Sequence, residues 1–212
     1  MNTFKINLAH CRFSIPQDRG LVVLGNYRSG STALCDILHQ STGYKNLDEV
    51  FHFRGRHGGY EDYQTHLLSG ELAIIKIMPD QIPPEQYWGE LFGNNTIIGI
   101  YRRDRVAQMA SWCQAYASNV WHNQRRDPVK TRNINHMLNS DQILSQARKL
   151  IKFYKEYVQC RRFMNMEFCY ETIQAGLVES CYDAMPKPEQ YEDLVAQCQS
   201  LLEQRRLELI NE

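Results

Sequence analysis

The chain has 212 residues, 43% of them hydrophobic and 23% charged, the balance of an ordinary globular protein. Its 24 basic residues offset 24 acidic ones, which excludes a global charge that would draw it to nucleic acid. No apolar run approaches the roughly 18 residues of a membrane span, and no internal repeat or low-complexity stretch divides the chain. One domain over residues 1–212 is expected. Residues 1–20 lack an apolar core of signal-peptide length, and the seven cysteines show no CxxC pair. An odd count without a framework predicts reduced thiols in a cytoplasmic protein.

In chain order, Leu21 to Leu24 is a continuous apolar run, as in a central parallel strand. A polar loop follows, then a helix from about Thr32 to Gln40, with Leu34, Ile37 and Leu38 on one face and Gly43 as its stop. Leu47 to Phe53 reads as extended. Arg54 to Tyr60 is Gly-rich and basic, and reads as a loop or a lid over an acceptor. Leu72 to Met78 is a second apolar strand closed by Pro79. Pro83 and Pro84 introduce a short helix containing Tyr87, Trp88 and Leu91. Thr96 to Tyr101 is a third strand, and a long helix spans about Arg105 to Val120. Residues 122–140 read as a loop. Ile143, Leu144, Ala147, Leu150, Ile151, Tyr154 and Val158 keep helical spacing. Phe163 to Tyr170 is a fourth strand, and a last helix lies within 188–210. Strands alternating with helices predict an α/β fold, a P-loop-like parallel sheet flanked by helices. Ligands in such sheets bind at the carboxyl ends of strands.

Two such ends carry chemistry. After Leu24 comes Gly25-Asn26-Tyr27-Arg28-Ser29-Gly30-Ser31-Thr32, a tight loop entering a helix. Backbone N–H groups and the helix dipole there make a place for an anion. The spacing is that of an ATP-type P-loop, but the lysine is missing and the cation sits inside the loop at Arg28. That change argues for a phosphate ester other than an ordinary nucleoside triphosphate. Arg102 and Arg103 follow the third strand directly. Between residues 102 and 132 seven basic residues face two acidic ones, a local excess that suits an anionic ligand. Residues 171–212 hold nine acidic and three basic residues and read as a solvated surface.

Two anion sites at strand ends fit a nucleotide with two phosphate positions. Tyr27-Arg28-Ser29-Gly30-Ser31-Thr32 resembles the 5′-phosphosulfate loop of sulfotransferases that use 3′-phosphoadenosine-5′-phosphosulfate (PAPS). Arg103 followed eight residues later by Ser111 resembles their 3′-phosphate site, with Arg102 as the alternative grip. Within that superfamily the chain is most similar to the bacterial trehalose 2-sulfotransferase type. The likeness runs through Gly30-Ser31-Thr32-Ala33-Leu34-Cys35, Ser41-Thr42-Gly43, Glu49-Val50-Phe51 and Arg102 to Ser111, with Trp121 downstream and a late Tyr170-Glu171 pair.

The resemblance implies sulfonate transfer from PAPS to a hydroxyl of a carbohydrate or glycolipid, leaving adenosine 3′,5′-bisphosphate. The donor has no polyphosphate to chelate, so no metal is expected. Arg28 and the N–H groups from Ser29 to Thr32 would meet charge developing on the leaving nucleotide. Ser31 and Thr32 would equally suit helix capping. Glu49 falls where the family's proposed catalytic glutamate falls, and Val50 and Phe51 would partly desolvate it. His52 is the competing base. Lys76, in the middle of an apolar strand, would either approach the sulfonate or pair with an acid such as Glu49. Trp112, Tyr116, Trp121 and His122 are either an acceptor wall or, for Trp112 and Tyr116, core. Relatives that dimerise make a homodimer an open expectation. Two readings compete: a P-loop kinase or NTPase, and a nucleotide-binding relative without catalysis.

Overall fold

The computed structural model describes residues 2–8, 11–51, 69, 71–81, 88–118, 138–173 and 191–205. Strand β1 (Thr3–Leu8) and β2 (Cys11–Pro16) form an antiparallel hairpin, followed by β3 (Gly20–Gly25) and α1 (Ser31–Thr42). Then come β4 (Lys45–Asp48), β5 (Ala73–Ile77), a 3-10 turn at Pro79–Gln81, α2 (Trp88–Gly93) and β6 (Asn95–Tyr101). Helices α3 (Arg105–Ser118) and α4 (Ser140–Cys160), strand β7 (Met166–Cys169) and α5 (Tyr191–Arg205) complete the described chain.

The main sheet has five parallel strands in the order β4-β5-β3-β6-β7. Every residue of β3 and β5 is buried, as a strand covered on both faces requires. The chain leaves β3 toward the β4 edge and leaves β6 toward the β7 edge. The crevice between the carboxyl ends of β3 and β6 is therefore the topological switch point. Gly25 pairs with Ile100, so the loop beginning at Asn26 and the pair Arg102-Arg103 emerge from neighbouring strands.

The chain forms two compact units. The first, residues 1–103 and 153–182, contains both sheets. On one face, Leu34, Leu38 and Cys35 of α1 and Ile6, Leu8 and Ile15 of the hairpin pack with Val23, Ile74 and Ile98. The other cluster joins Val22, Ile75, Ile97, Leu91, Tyr157 and Cys160. The second unit, residues 104–152 and 183–212, is helical where described. There Asp104 caps α3 by accepting the Ala107 N–H at 2.8 Å, and Trp112 Nε1 donates to Gln146 Oε1 at 3.0 Å. All six described cysteines are free thiols.

The parallel α/β fold expected from the sequence is the one found. Gly43 ends α1 as expected, in the left-handed region at φ 74°, with its N–H on the His39 carbonyl at 2.8 Å. Several boundaries differ. The extended segment expected at Leu47 to Phe53 is the earlier, shorter β4, because Asp48 turns the chain at φ 56°. The fourth strand is only Met166–Cys169, preceded by a 3-10 turn at Arg161–Phe163. In α4 the stripe continues through buried Tyr157 and Cys160, and Val158 is exposed. Trp112 is core, but Tyr116 is 44% exposed and is not. The segments Arg54 to Tyr60, Pro83 to Tyr87 and 122–137, like Trp121, lie outside the described residues. Among the described residues no helix is long and apolar enough to cross a membrane.

Buried acids of high pKa set an alkaline limit on this fold. Burial pushes the Cys160 thiol from 9.0 up to about 11, with Arg162 pulling it back and Glu156 adding to the rise. Tyr157 moves the same way, through burial and then its hydrogen bond to Glu167. The folded chain keeps protons that the unfolded chain releases. This stabilisation is therefore complete below pH 9 and is lost as pH rises through 9 toward 11. The thermal midpoint should be flat to about pH 9 and then fall by roughly 2–4 °C for each kcal/mol lost. A midpoint unchanged at high pH in scanning calorimetry would contradict it.

Candidate functional site

The loop after β3 is built by three local constraints. Gly25 admits no side chain: a Cβ there would meet Ser29 Oγ at 2.8 Å, Ser31 Cβ at 2.9 Å and Ile100 Cγ2 at 3.0 Å. Asn26, itself buried, accepts the Tyr27 N–H on Oδ1 at 2.8 Å and the Ser29 N–H on its carbonyl at 3.2 Å, closing a turn. Arg28 and Gly30 then take left-handed backbone angles, φ 61° and 86°. For arginine that conformation costs about 1–2 kcal/mol, strain that a tightly determined loop sustains.

Gly30 is the N-cap of α1, and no side chain caps the helix. The first helical bond runs from the Leu34 N–H to the Gly30 carbonyl at 3.1 Å. The N–H groups of Gly30 to Ala33 therefore have no acceptor within the helix. Ser31 and Thr32 do not cap, in contrast to the capping alternative read from sequence, since both already lie inside the helix. The Ser29 N–H is spent on the turn, while its buried hydroxyl has no hydrogen-bond partner among the described residues. Ionic and polar donors gather here without a carboxylate in the loop itself, which suits an anion.

Beside the loop lies a buried charge cluster. Lys76 is fully buried in β5, and its ammonium meets Asp48 Oδ1 at 2.6 Å and Glu49 Oε1 at 3.0 Å. It also donates to Thr32 Oγ1 at 2.8 Å. Burial alone would lower the lysine pKa, but Glu49 and then Asp48 raise it further, so the net shift is upward and the ammonium stays charged. The Glu49 side chain is 13% exposed, and its second oxygen accepts Gln81 Nε2 at 2.7 Å. Gln81 is itself oriented, because its Oε1 accepts the Met78 N–H at 3.2 Å. Next to it, Asp80 accepts the Tyr27 hydroxyl at 2.8 Å. Burial, and then Asp80, push the Tyr27 pKa up, so this phenol is neutral.

At the end of β6 the two arginines differ. Arg102 is partly buried, 5.0 Å above the Tyr170 ring, with Nε 3.6 Å from Glu171 Oε1. That separation is an ion pair rather than a hydrogen bond. Arg103 is exposed; its backbone N–H donates to Glu171 Oε2 at 2.9 Å, and Cys169 Sγ reaches the same oxygen at 3.0 Å. Glu171 thus splints the ends of β6 and β7.

The family model described as Stf0 sulphotransferase matches residues 60–198, almost two thirds of the chain. The chain belongs to the Stf0 sulphotransferase family. It is a transferase, and the family resemblance read from the sequence is borne out. No curated protein matches it. The matched stretch of this sulphotransferase contains Lys76, Arg102, Arg103 and Ser111, while the loop at 25–32 and Glu49 precede it.

In this sulphotransferase Arg28, Ser29, Gly30, Ser31, Thr32, Glu49, Lys76, Arg102 and Arg103 all fall in the first compact unit. Lys76 joins Glu49 and Thr32 directly. Ser111 is half-buried on α3 in the second unit. His52 and His122 lie outside the described residues. Four participants were not singled out from the sequence: Asp48, Asp80, Gln81 and Glu171 as a ligand of the β6 end. A lysine inside an apolar strand was the available signal for the first, because such a charge demands more than one acceptor.

Proposed function

We propose that this sulphotransferase moves the sulfonate group of PAPS to a hydroxyl of a carbohydrate or glycolipid, with Glu49 as general base. The observation that carries the proposal is the Gly25–Thr32 loop. Its helix N–H groups, the strained Arg28 and the orphaned Ser29 hydroxyl sit one strand away from Arg102 and Arg103. Two cationic strand ends side by side match a nucleotide carrying two separate phosphate groups. A loop without the P-loop lysine disfavours ATP.

Sulfuryl transfer, by analogy with phosphoryl transfer, has a loose transition state, so positioning and charge stabilisation dominate. Arg28 and the N–H groups at the start of α1 stabilise the charge that grows on the leaving phosphate oxygen. Glu49 accepts the proton of the attacking hydroxyl as the sulfur–oxygen bond forms. Its oxygens hold Lys76 and Gln81, yet each keeps a lone pair for that proton. Arg103, exposed at the end of β6, holds the 3′-phosphate, and Arg102 is kept beside it by Tyr170 and Glu171.

Calorimetry with adenosine 3′,5′-bisphosphate tests the donor site. The wild-type chain should bind it in preference to ATP. Arg103→Ala should weaken binding by roughly 10- to 100-fold, the loss of one charge-assisted phosphate contact. Equal affinity for the two nucleotides, or an unaffected variant, would reject the assignment. An acceptor screen with radiolabelled PAPS then separates a transferase of carbohydrate hydroxyls from other acceptor classes.

A further inference from the structure

Lys76 occupies a strand position where its neighbours Ile74, Ile75 and Ile77 are all buried and apolar. Its ammonium has three N–H groups, and three acceptors from two separate elements take them: Thr32 of α1, and Asp48 and Glu49 at the end of β4. No N–H is left over for a ligand. Such a buried ion cluster is a poor device for stability, since an apolar side chain of the same volume usually does as well.

What the cluster does fix is Glu49. One carboxylate oxygen is held by Lys76 and the other by Gln81, which is pinned by the Met78 N–H. Both partners lead back to the same loop. Lys76 reaches Thr32 at its helical end, and the Gln81 turn reaches Tyr27 through Asp80. The path from loop to Glu49 and back is closed.

We propose that Lys76 is a positioning residue: it fixes the Glu49 carboxylate, ties it to the anion loop, and with Asp48 sets the charge against which Glu49 takes up a proton. The proposal rests on the reading of Glu49 as the base. Among the described residues, the titratable groups around Glu49 are Lys76 from β5, Asp48 beside it, Cys35 from α1, and Tyr27 of the loop with its partner Asp80. Cys35 and Tyr27 are held neutral by burial. Among the described residues, Lys76 and Asp48 are thus the two opposite charges joined to Glu49 within the cluster.

Carbon-13 labelling of glutamate carboxyls, with the Glu49 resonance assigned by its loss in Glu49→Gln, reads this directly. Lys76→Met should raise the Glu49 titration midpoint by about one pH unit or more, because a cation is lost and Asp48 remains. Asp48→Asn should lower the midpoint, because a like charge is lost. This second variant keeps the test falsifiable if Lys76→Met fails to fold. Asp48 is 55% exposed, and asparagine tolerates its left-handed backbone. A Glu49 midpoint unmoved in Asp48→Asn, or moved upward, overturns the proposal. If the midpoints move as expected but Glu49→Gln turns over normally, the tie stands and the base reading alone fails.

Discussion

Glu49→Gln should lower turnover by roughly 10²–10⁴ while nucleotide binding stays intact, the loss that follows removal of a positioned general base. The substitution is isosteric, and the cluster around it predicts where the damage stops. Lys76 keeps Asp48 at 2.6 Å and Thr32 at 2.8 Å, so the ammonium is not left unpaired and the fold should survive. The amide nitrogen of the new side chain would face Gln81 Nε2, a donor against a donor. Gln81 cannot turn over without giving up the Met78 N–H. The variant should therefore be slightly less ordered at that turn and nearly inert in transfer. Single-turnover measurement with radiolabelled PAPS, alongside calorimetry with adenosine 3′,5′-bisphosphate, separates chemistry from binding. Near-normal turnover would remove Glu49 from the mechanism.

The second large effect is expected at Gly25. An alanine there has no open direction: its Cβ would fall within 3.0 Å of Ser29, Ser31 and Ile100 together. Ile100 is core and Ser31 is already helical, so the loop is what must give. Overpacking of this kind costs about 1–3 kcal/mol of stability. A displaced loop would also weaken nucleotide binding by roughly 10- to 100-fold, the loss of about one charge-assisted phosphate contact, because its donors no longer converge. Gly93→Ala is the control, since nothing lies within 4 Å of a Cβ at that position. It should leave affinity unchanged and should not lower the thermal midpoint, since alanine is the better helix residue. Nucleotide affinity unchanged in Gly25→Ala would mean that the loop is not the anion site.

The two effects differ in how far the sequence announced them. Gly25 and its loop are local chemistry. The apolar run of β3, the glycines and Arg28 are contiguous, so their meaning survives without tertiary information. Glu49 was reached by resemblance, its pairing with Lys76 was one of two readings of the buried lysine, and its partner Gln81 came from geometry alone. Lys76 was legible as a buried charge needing an acid. That it takes Asp48, Glu49 and Thr32 at once follows from β4 pairing with β5 so that Asp48 stands opposite Ile75. A one-residue slip of β4 in that register would turn Asp48 away from the face it presents beside Lys76. The hairpin β1–β2 was also missed, although Phe4, Ile6 and Leu8 alternate with polar residues in the period of a strand. Tyr116 shows the reverse failure: helical spacing marks a face, but not whether a neighbour covers it.

The sequence by itself determined the parallel α/β fold, the apolar central strands as they follow along the chain and the glycine-bounded loop after β3, because apolar runs, glycines and a helix start act over a few residues. The tertiary structure alone decided which charges meet. Thr32, Asp48, Glu49, Lys76 and Gln81 are up to 49 residues apart in the chain, and only strand register and the burial of one ammonium bring them within hydrogen-bonding distance.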